Sequence, residues 1–550
     1  MVPVQYFEAF NSDPSWAGVN NHAIPVPCTR SITQEFRYCA PPSHYAGGSA
    51  AGEIGGKIYR RFIGGYYAKI LPTAKTFNDT LTASGRFSVD AGGSASAAMW
   101  GWFNSTNNTG WRQPNTLAVR LDGNASPEGF SARFEYGSRD WHTAGTGNLS
   151  FGSPAASTHP WGDGQSYTWK LSYNPSGNGG NGQITLEIGK NTVTNTFTLN
   201  LAAGDKARGA VFNRFGMFSR QLDGEWMTVH MDDLVLDGVE EDFSTDPGWE
   251  GVGNEGIFTD CDVEYWHNFG YSPTSRAGGS SGEVGGTMYR TEDDEPWNTA
   301  YYGAVVPGSL TLTNELQATG RVAMVRGASD SGLLLGWFDS AKATNAGVGG
   351  YCPTNFVGIL LEGLSASGWY FRGFYRNSAG TKGDGAPGPF IVPDGTQHSW
   401  TCQYWPTANG GDGSITVTLD GQVNTLNLAA GVKAAGATFD RFGLMNYQKG
   451  GHGLEAYFDD IRHSTLQLDS NDDGIPDFWI RKAELIGADV HITFSSLLGR
   501  QYTVERKEVL DGAAWSVVQD NVPGTGGDVT VIDPAAAAQP ARFYRVRVLD

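Results

Sequence analysis

The stretch FNSDPSWAGVNN, residues 10–21, returns later in the chain as FSTDPGWEGVGN, residues 243–254. Four more pairs of similar stretches follow in the same order: AGGSAAGEIGGKIYR (46–60) and AGGSSGEVGGTMYR (277–290), GWFNS (101–105) and GWFDS (336–340), FNRFGMF (212–218) and FDRFGLM (439–445), HMDDL (230–234) and YFDDI (457–461). The offset between partners is 233 from Trp16 to Trp249 but 227 from Asp232 to Asp459. Such drift is typical of insertions and deletions in loops around preserved strands. The sequence therefore predicts two tandem copies of one domain, each of about 230 residues.

Apolar residues within each copy alternate with a period of two. In GWYFRGFYRN, residues 368–377, and in QHSWTCQYW, residues 397–405, every second residue falls on a largely apolar face. Turn-forming stretches, NPSGNGGNG at 174–182 and PTANGGDG at 406–413, lie at equivalent places. Alternation of this kind is typical of strands with one buried face. We predict an all-β fold of two tandem antiparallel jelly-roll β-sandwiches, followed by a small C-terminal β-sandwich.

The composition argues against several classes of partner. Of the 550 residues 17% are charged, and acidic residues outnumber basic ones, so the formal net charge is -19. A nucleic-acid-binding protein needs a basic surface to match the phosphates, and an anionic membrane repels an acidic protein. No apolar run reaches the roughly 18 residues that a membrane-spanning helix requires. We therefore predict neither a nucleic-acid partner nor insertion into a membrane.

Three motifs carry a resemblance to a known fold family. The opening F-x-x-D-P-x-W, the strand G-W-F-[ND]-S and the closing x-[FM]-D-D-[IL] resemble concanavalin A-like, laminin-G-like jelly rolls over roughly residues 5–465. Such modules are common in large secreted bacterial proteins, notably those of planctomycetes and verrucomicrobia. The resemblance implies a secreted or cell-surface protein. Because the superfamily includes lectin modules, hydrolases and lyases, the resemblance does not decide between these functions.

An acidic stretch follows the second copy. In DSNDDGIPD, residues 469–477, acidic or amide side chains alternate and Gly474 permits a turn. Such spacing supplies hard oxygen ligands for Ca²⁺, and it resembles one thrombospondin type-3-like calcium repeat. The predicted ligands are the side chains of Asp469, Asn471, Asp473 and Asp477 and the carbonyl oxygen of Ile475. A solvated acidic linker is the alternative.

The last part of the chain is a different unit. VHITFSSLLGRQYTVERK, residues 490–507, and ARFYRVRVLD, residues 541–550, frame alternating strands and resemble a C-terminal β-sandwich often appended to secreted bacterial proteins. A role in surface attachment is the analogy that this resemblance suggests. We place the domains at 1–238 and 239–466 for the two jelly-roll modules, 467–484 for the calcium-binding linker and 485–550 for the C-terminal β-sandwich.

Each copy ends in an acidic pair, Asp232-Asp233 and Asp459-Asp460. In modules of this type a structural calcium often ties the first strand to the last. The resemblance therefore implies Ca²⁺ at Asp232 and Asp459. Plain solvation of the carboxylates is the alternative.

The five cysteines fall in no spacing typical of a metal site. Those of the two copies are partly equivalent, because Cys28 and Cys261 lie 233 positions apart. Two local bridges are predicted: Cys28 with Cys39, and Cys261 with Cys352. Such bridges would fit an oxidising compartment. Cys402 takes the core-facing position that Leu171 fills in copy one, so we predict a buried thiol there.

Aromatic and polar side chains on the outward strand faces are the strongest functional signal. Flat rings stack on the apolar faces of sugars, while Arg, Asn and Gln side chains bind the hydroxyls. The predicted ligand-binding residues are Asn115, Arg133, Glu135 and Lys170 in copy one and Asn355, Tyr370, Arg372, Arg376, Gln403 and Trp405 in copy two. We expect Tyr370, Arg376 and Trp405 to be exposed. The tryptophans expected in the cores are Trp102, Trp169, Trp337 and Trp400.

Carboxylates at equivalent places raise the question of catalysis, because a glycosidase needs two of them. The twinned candidates are Glu53 with Glu283 and Asp122 with Glu362, while Glu135 has no acidic counterpart. Known jelly-roll glycosidases carry E-x-D-x-x-E on one strand, and this chain has no such motif. Glu53 and Glu283 lie in glycine-rich turns, where a carboxylate more often caps backbone amides or binds structural calcium.

Three functions remain open. The leading hypothesis is a non-catalytic, lectin-like protein that binds a polysaccharide or other glycan on the outward sheet face of the jelly rolls. Repeating a weak binding module would raise its avidity. The second hypothesis is a glycoside hydrolase or polysaccharide lyase without a known motif. The third is a structural surface or filament subunit that associates with its own copies.

Overall fold

The computed structural model describes most of the chain as β-strands. The residues outside the described part are 1, 24–29, 62–63, 107–112, 153–155, 220–223, 260–266, 280, 292–298, 328–329, 344–352, 365–367, 448–449, 468–479, 497, 510–513, 526, 539–540 and 550. The described strands form six sheets. The prediction of an all-β fold with antiparallel sandwiches is thus confirmed. Helical turns are short: α1 (Asp205–Arg208), α2 (Val432–Ala435) and the 3₁₀ turns Asn178–Gly180, Ser340–Lys342, Asn409–Gly411 and Ala536–Ala538.

The first sandwich, module 1, packs a nine-stranded sheet (1a) on a seven-stranded sheet (1b). Strands are numbered along the chain and given in spatial order. Sheet 1a contains β13 (Val193–Asn200), β12 (Gln183–Lys190), β11 (Tyr167–Asn174), β6 (Leu81–Gly92), β15 (Trp226–Leu236), β4 (Glu53–Tyr59), β3 (Ser31–Cys39) and β18 (Glu255–Thr259), with β16 (Val239–Glu241) paired to β15. Sheet 1b contains β10 (Thr143–Gly145), β9 (Glu128–Gly137), β8 (Thr116–Ala125), β7 (Ala97–Phe103), β14 (Val211–Ser219), β5 (Tyr66–Thr76) and β17 (Glu250–Val252).

The second sandwich, module 2, packs two eight-stranded sheets, 2a and 2b. Sheet 2a contains β19 (Asn268–Ser272), β20 (Glu283–Tyr289), β32 (Gly453–Gln467), β22 (Leu316–Gly327), β28 (Gln397–Trp405), β29 (Ser414–Leu419) and β30 (Gln422–Asn427), with β1 (Val2–Glu8) paired to β32. Sheet 2b contains β2 (Ala17–Val19), β21 (Tyr301–Thr311), β31 (Thr438–Asn446), β23 (Gly332–Phe338), β24 (Phe356–Leu364), β25 (Gly368–Arg376) and β26 (Lys382–Asp384), with β27 (Phe390–Ile391) paired to β25.

Aromatic side chains fill the space between the two sheets of each module. In module 1 the ring of Trp100 in β7 lies 5.7 Å from that of Trp169 in β11. In module 2 the ring of Phe371 in β25 lies 6.4 Å from that of Trp400 in β28. The four tryptophans predicted in the cores are at most 2% exposed: Trp102, Trp169, Trp337 and Trp400. Rings from both sheets therefore hold each sandwich together.

The repeated motif F-x-x-D-P-x-W closes a module rather than opening one. We call residues 2–21 the N-terminal closing segment and residues 239–254 the central closing segment. In the N-terminal closing segment β1 pairs with β32 and β2 pairs with β21, so this segment belongs to module 2. In the central closing segment β16 pairs with β15 and β17 pairs with β5, so this segment belongs to module 1.

The module boundary therefore differs from the predicted one between residues 238 and 239. Module 1 runs without interruption from β3 to β18, whereas module 2 consists of β19 to β32 together with β1 and β2. A sequence repeat gives the order and length of the units. It does not tell whether a motif between two units completes the one before it or the one after it.

Local sterics fix the closing segments in place. Phe10 and Phe243 are fully buried, each in the core of the module that its segment completes. Gly282 in module 2 has a φ of +112°, and a Cβ there would lie 1.8 Å from the carbonyl oxygen of Phe10. Gly52 repeats this arrangement against Phe243, with a φ of +111° and a distance of 2.1 Å. Only glycine fits at these two contacts, which explains the first glycine of the repeated GE(I/V)GG turn.

The C-terminal domain is a small sandwich of two three-stranded sheets. One sheet contains β33 (Ile480–Ile486), β34 (Asp489–Ser495) and β37 (Asp528–Asp533), and the other contains β36 (Ser516–Pro523), β35 (Gln501–Lys507) and β38 (Phe543–Leu549). Its core residues are Phe494, Tyr502, Val504, Val522, Val531 and Val546. Because β33 begins at Ile480, the domain starts before the predicted residue 485. The predicted calcium linker, 469–477, lies outside the described residues.

Trp141 joins the two modules. It lies in the loop after β9, is 1% exposed and belongs to the core cluster of module 2. Its ring packs edge-on against that of Trp369 in β25, with 4.1 Å between the centroids. Beside it, the ring of His142 lies 5.2 Å from that of Phe390, and the guanidinium of Arg208 lies 4.7 Å from the same ring. Module 1 thus contributes a side chain to the core of module 2. None of the helices in the described part of the chain is long and apolar enough to span a membrane.

Candidate functional site

Sheets 1b and 2b each turn one face away from the core of their module. In β9 the core residues Ala132 and Phe134 alternate with Arg133 and Glu135, which therefore lie on the outer face. In β25 the alternation is the same around Arg372, whose neighbour Phe371 belongs to the core of module 2. These are the outward positions that the sequence pattern predicts.

A network of charged side chains occupies the outer face of sheet 1b. Arg120 in β8 contacts Glu135 in β9, and its Nε lies 3.0 Å from Oδ2 of Asp122. Nε of Arg133 lies 3.2 Å from the same oxygen and donates to Oδ1 of Asn148 at 2.8 Å. The side chain of Arg120 is 3% exposed, but that of Arg133 is 31% exposed. The network therefore has a buried end at Arg120 and an open end at Arg133.

Ion pairing keeps the buried end of this network charged. Burial alone would lower the pKa of Arg120, but the carboxylates of Glu135 and Asp122 outweigh it and raise the pKa above its ordinary value. Arg120 thus engages both carboxylates. The network offers donors and acceptors in fixed positions on the outer face of sheet 1b.

Module 2 has a related network on the outer face of sheet 2b. Nη2 of Arg372 lies 2.6 Å from Oε2 of Glu362, and its Nη1 lies 2.8 Å from Oδ2 of Asp384. Nη1 also donates to the carbonyl oxygen of Gly385 at 2.9 Å. The side chain of Arg372 is 9% exposed. Arg372 of module 2 is therefore nearly buried, whereas Arg133, which takes the same position in module 1, is partly exposed.

Several predicted ligand residues on these faces are more buried than expected. Tyr370 is 2% exposed, and its ring packs against that of Phe390 at 5.3 Å. Arg376 is 8% exposed, and its Nε donates to the carbonyl oxygen of Gly380 at 3.3 Å. Glu135 is 3% exposed. The expectation that Tyr370 and Arg376 are exposed is wrong, because alternation along a strand gives the face of the sheet but not what covers that face.

The remaining predicted ligand residues lie on the other sheet of each sandwich. Lys170 in β11 belongs to sheet 1a, and Gln403 and Trp405 in β28 belong to sheet 2a. The side chain of Lys170 is 52% exposed, while Gln403 and Trp405 are half-buried. A filled core separates them from Arg133 and Arg372, so the predicted residues do not form one site. Sequence alternation distinguishes inward from outward positions, but it does not distinguish the two outer faces.

Asn115 and Asn355 hold loops of the chain itself. Both have positive φ, 50° and 63°, in the left-handed region that asparagine tolerates better than most residues. Oδ1 of Asn115 accepts a hydrogen bond from the amide of Val211 at 2.9 Å, and Nδ2 of Asn355 donates to Asp339 at 3.0 Å. Both side chains are buried. They position the starts of β8 and β24.

Glu53 and Glu283 cap backbone amides, the role that their glycine-rich turns favour. The carboxylate of Glu53 accepts hydrogen bonds from the amides of Tyr45 and Ala46 at 2.9 and 2.8 Å. Glu283 accepts two corresponding hydrogen bonds at 2.9 and 2.8 Å. Both residues are fully buried. Their oxygens are occupied by the loops that they hold.

The acidic pairs carry the most perturbed carboxylates on the sandwiches. Oδ1 of Asp232 accepts a hydrogen bond from the amide of Asp233 at 2.7 Å, and Oδ1 of Asp459 accepts one from Asp460 at the same distance. Oδ2 of Asp232 and of Asp459 is buried without a hydrogen-bond partner among the described residues. Burial, with the neighbouring carboxylate as a further cause, raises the pKa of Asp232 to about 6 and that of Asp459 to about 7.

A cation would relieve this arrangement, because a buried anionic oxygen without a partner is costly. Within the described part of the chain, no group of three or more His, Cys, Asp or Glu residues is placed to hold a metal ion. A Ca²⁺ ion at Asp232 or Asp459 would therefore need backbone carbonyl oxygens or water as its other ligands, which calcium accepts. Asp232 and Asp459 would each supply one carboxylate to such an ion.

The cysteines are only partly covered by the structure. Cys402 is a buried thiol, as predicted, and burial raises its pKa to about 12. Cys39 ends β3, and its Sγ lies 3.6 Å from the carbonyl oxygen of Gly55. The other members of the two predicted bridges, Cys28, Cys261 and Cys352, lie outside the described residues.

Three residues of the two networks were not found by sequence reasoning. Arg120 stands two positions before Asp122 in one strand, so the alternation could have placed it on the same face. Asn148 lies in a loop after β10, and Asp384 ends the short strand β26. Nothing in the sequence near these two residues signals that the fold brings them to an arginine of β9 or β25.

Comparisons with known proteins leave the family open. No model of a protein family matches the chain, and no curated protein matches it. Domains LG4-5 of the mouse laminin alpha1 chain are similar at 12% identity, over 77% of this chain and 92% of that chain, with a TM-score of 0.20. The LG1-3 region of the laminin alpha2 chain is similar at 11% identity, over 74% of this chain and 63% of that chain, with a TM-score of 0.20.

A mutant GH43 protein from Bacillus licheniformis is similar at 10% identity, over 79% of this chain and all of that chain, with a TM-score of 0.21. Similarities at this level carry no conclusion about function. The sandwich architecture rests on the strand pairing of the chain itself.

Proposed function

We propose that this chain is a secreted or cell-surface, non-catalytic carbohydrate-binding protein whose glycan site is the open end of the network on sheet 1b. Arg133 carries the proposal. Its contacts with Asp122 and Asn148 are made by Nε, so within the described part of the chain the two Nη groups of this partly exposed guanidinium remain available to a ligand. Adjacent donors and acceptors in fixed positions are what neighbouring hydroxyls of a sugar require.

Preorganisation supports this assignment. Asp122 is fixed by its ion pair with the buried Arg120. Oδ1 of Asn148 also accepts a hydrogen bond from the hydroxyl of Ser131 at 3.1 Å. Side chains that are already fixed lose little conformational entropy when a ligand binds. In module 2, by contrast, both Nη groups of Arg372 are engaged by the chain itself. The proposal therefore places the glycan on module 1 and gives module 2 a different role.

Calcium is proposed as a structural ion at Asp232 and Asp459. The support is the buried, unpartnered Oδ2 in each of two equivalent places. The ion would neutralise a carboxylate that burial disfavours, and so would stabilise the middle of β15 in module 1 and of β32 in module 2. This part of the proposal concerns stability and is separate from glycan recognition.

A glycan array on the purified full-length chain tests the proposal, with reducing-end release measured on every hit. We expect binding without product release. In Arg133→Ala, affinity for the best hit should fall by about tenfold or more, because a charged donor pair is lost. Lys170→Ala is the matched control, since it removes a more exposed cation from the other sheet of the same module, and it should bind like the wild type.

Three results would contradict the proposal. Release of a reducing end would show an enzyme. Equal losses in Arg133→Ala and Lys170→Ala would show that the network on sheet 1b is not the site. Absence of binding to every glycan on the array would favour the structural role.

A further inference from the structure

One position beside the outward arginine holds a glycine in module 1 and an aspartate in module 2. Gly145 of β10 pairs with the residue two positions after Arg133, and Asp384 of β26 pairs with the residue two positions after Arg372. In both modules the amide of the next residue donates to the carbonyl oxygen of the residue that follows the arginine. The two short strands therefore lie in the same register, and Gly145 is the counterpart of Asp384.

In module 2 the chain itself supplies the groups that satisfy Arg372. Oδ2 of Asp384 lies 2.8 Å from Nη1, which also donates to the carbonyl oxygen of Gly385 at 2.9 Å. Oε2 of Glu362 lies 2.6 Å from Nη2. The side chain of Asp384 is 52% exposed. Arg372 therefore pairs with one carboxylate within the sheet and with a second at its exposed edge.

Module 1 keeps the first of these carboxylates and lacks the second. Asp122, the counterpart of Glu362 in the strand pairing, lies 3.2 Å from Nε of Arg133. Gly145 ends β10 and has no side chain to offer. Within the described residues no second carboxylate contacts Arg133, and 31% of its side chain is exposed. A position that module 2 fills from its own chain is thus left to a ligand in module 1.

The charges around Arg133 favour an anion at this position. Arg120 pairs with Asp122 and Glu135, and Asp122 also pairs with Arg133. Arg60 lies close enough to feel the same groups: burial lowers its pKa, Asp122 opposes that effect, and Arg120 adds to it. This cluster contains three arginines and two carboxylates, so it has one positive charge more than it has negative charges. A carboxylate on the ligand would balance it.

We propose that the glycan bound at Arg133 carries a carboxylate, as a uronic acid does, and that this carboxylate takes the place beside Arg133 that Asp384 takes beside Arg372. A planar guanidinium binds a carboxylate through two parallel hydrogen bonds, which add both affinity and orientation. The inference rests on the proposed glycan site and specifies the class of sugar that it takes. The net charge of -19 hardly opposes it, because salt screens charges beyond about 8 Å at physiological ionic strength.

Pairs of ligands that differ only in the carboxylate test the inference on the full-length chain. Oligogalacturonate, oligoglucuronate and oligomannuronate are compared by calorimetry with the same oligosaccharides after chemical reduction of their carboxyl groups. We expect at least one acidic oligosaccharide to bind, and we expect its reduced form to bind at least tenfold more weakly. The affinity for the acidic form should also fall as the salt concentration rises, since salt screens an ion pair near the surface.

Gly145→Asp should satisfy Arg133 from within the chain, because it introduces a carboxylate where module 2 has Asp384. Affinity for the acidic oligosaccharide should fall at least tenfold. A Cβ at this residue would lie 3.0 Å from Cβ of Glu135, so the effect of bulk needs its own control. Gly145→Asn adds nearly the same bulk without the charge, and its affinity should fall much less. Circular dichroism and thermal unfolding should show that both variants are folded.

Three results would overturn the inference: equal losses in Gly145→Asp and Gly145→Asn, equal affinity for an acidic oligosaccharide and its reduced form, or binding of neutral glycans only. If Arg133→Ala abolishes the binding of a neutral glycan, the proposed glycan site stands and only the carboxylate is lost. If no glycan binding depends on Arg133, the proposed site and this inference fail together.

Discussion

The ring of Trp16 lies 5.8 Å from the ring of Tyr302, with 32° between their planes. The rings of Trp249 and Tyr67 lie at the same distance and the same angle. In each case the tryptophan belongs to a closing segment and the tyrosine to the strand beside which that segment lies. The tyrosine hydroxyl also reaches the aspartate of the motif: Tyr302 donates to Asp13 at 2.9 Å. The aspartate and the tryptophan of the repeated motif thus bind one strand of a sandwich.

Removing the buried phenylalanine of a closing segment should destabilise the module that the segment completes. We expect Phe10→Ala to lower the free energy of unfolding of module 2 by about 3–5 kcal/mol, because a fully buried aromatic ring is lost. Hydrogen exchange read by mass spectrometry should show reduced protection in β19 to β32. The matched variant, Phe243→Ala, should reduce protection in β3 to β15 instead. The opposite pattern would refute the assignment of the closing segments.

A disulfide should lock the N-terminal closing segment onto its own chain. Gln5 and Ser464 stand opposite each other in the β1–β32 pair, with Nε2 of Gln5 2.8 Å from Oγ of Ser464. We expect Gln5→Cys combined with Ser464→Cys to oxidise to a monomer with an internal bridge, visible as a mobility shift in non-reducing electrophoresis. Covalent dimers instead of a shifted monomer would mean that the segment closes module 2 of a second copy.

Asp459 should make stability depend on pH and calcium together. Its raised pKa means that the folded state holds a proton that the unfolded state has lost between about pH 4 and pH 7. The free energy of unfolding should therefore fall as the pH rises through this window when calcium is absent. Added calcium should raise the melting temperature more at pH 8 than at pH 5, since the ion replaces the proton.

Asp459→Asn removes the charge that causes both effects. In a chelator at pH 8 this variant should melt at a higher temperature than the wild type, and its response to calcium should be smaller. Asp237→Asn, which changes a partly exposed carboxylate 3.2 Å from Lys75, is the control. A calcium response in Asp459→Asn as large as that of the wild type would exclude Asp459 as a ligand.

Trp141 should couple the unfolding of the two modules. Trp141→Ala removes a ring that is 1% exposed and packs against Trp369, so a loss of about 3–5 kcal/mol is expected. Calorimetry should show one unfolding transition for the two modules in the wild type and two separate transitions in the variant. Trp405→Ala, a half-buried tryptophan on the outer face of sheet 2a, should leave the number of transitions unchanged.

The sequence was sufficient for the fold class because the signals there are local. Alternation along β9 and β25 places Arg133 and Arg372 on an outer face, and the core tryptophans follow from the same pattern. The assignment of the closing segments failed for a different reason. Whether Phe10 enters module 1 or module 2 depends on a pairing with β32, and no local pattern near Phe10 contains that information.

The candidate site was predictable only in part. Arg133 was found because it stands at an outward position of a clear strand. Its partner Asn148 arrives from a loop, and the difference between an open Arg133 and a closed Arg372 depends on Asp384 and Gly385 in module 2. Sites of that kind become visible only when the chain is folded.

The pairing of β1 with β32 also determines which of the two modules can be completed first during synthesis. All strands of module 1 lie in one continuous stretch, so that module can fold while the ribosome is still at work. Gln5, by contrast, is made 459 positions before its partner Ser464. At about 5–20 residues per second, roughly 20–90 s separate the two. For that interval β1 lacks its partner strand β32 while module 1 is already complete, and module 2 is finished by a segment that was made before either module.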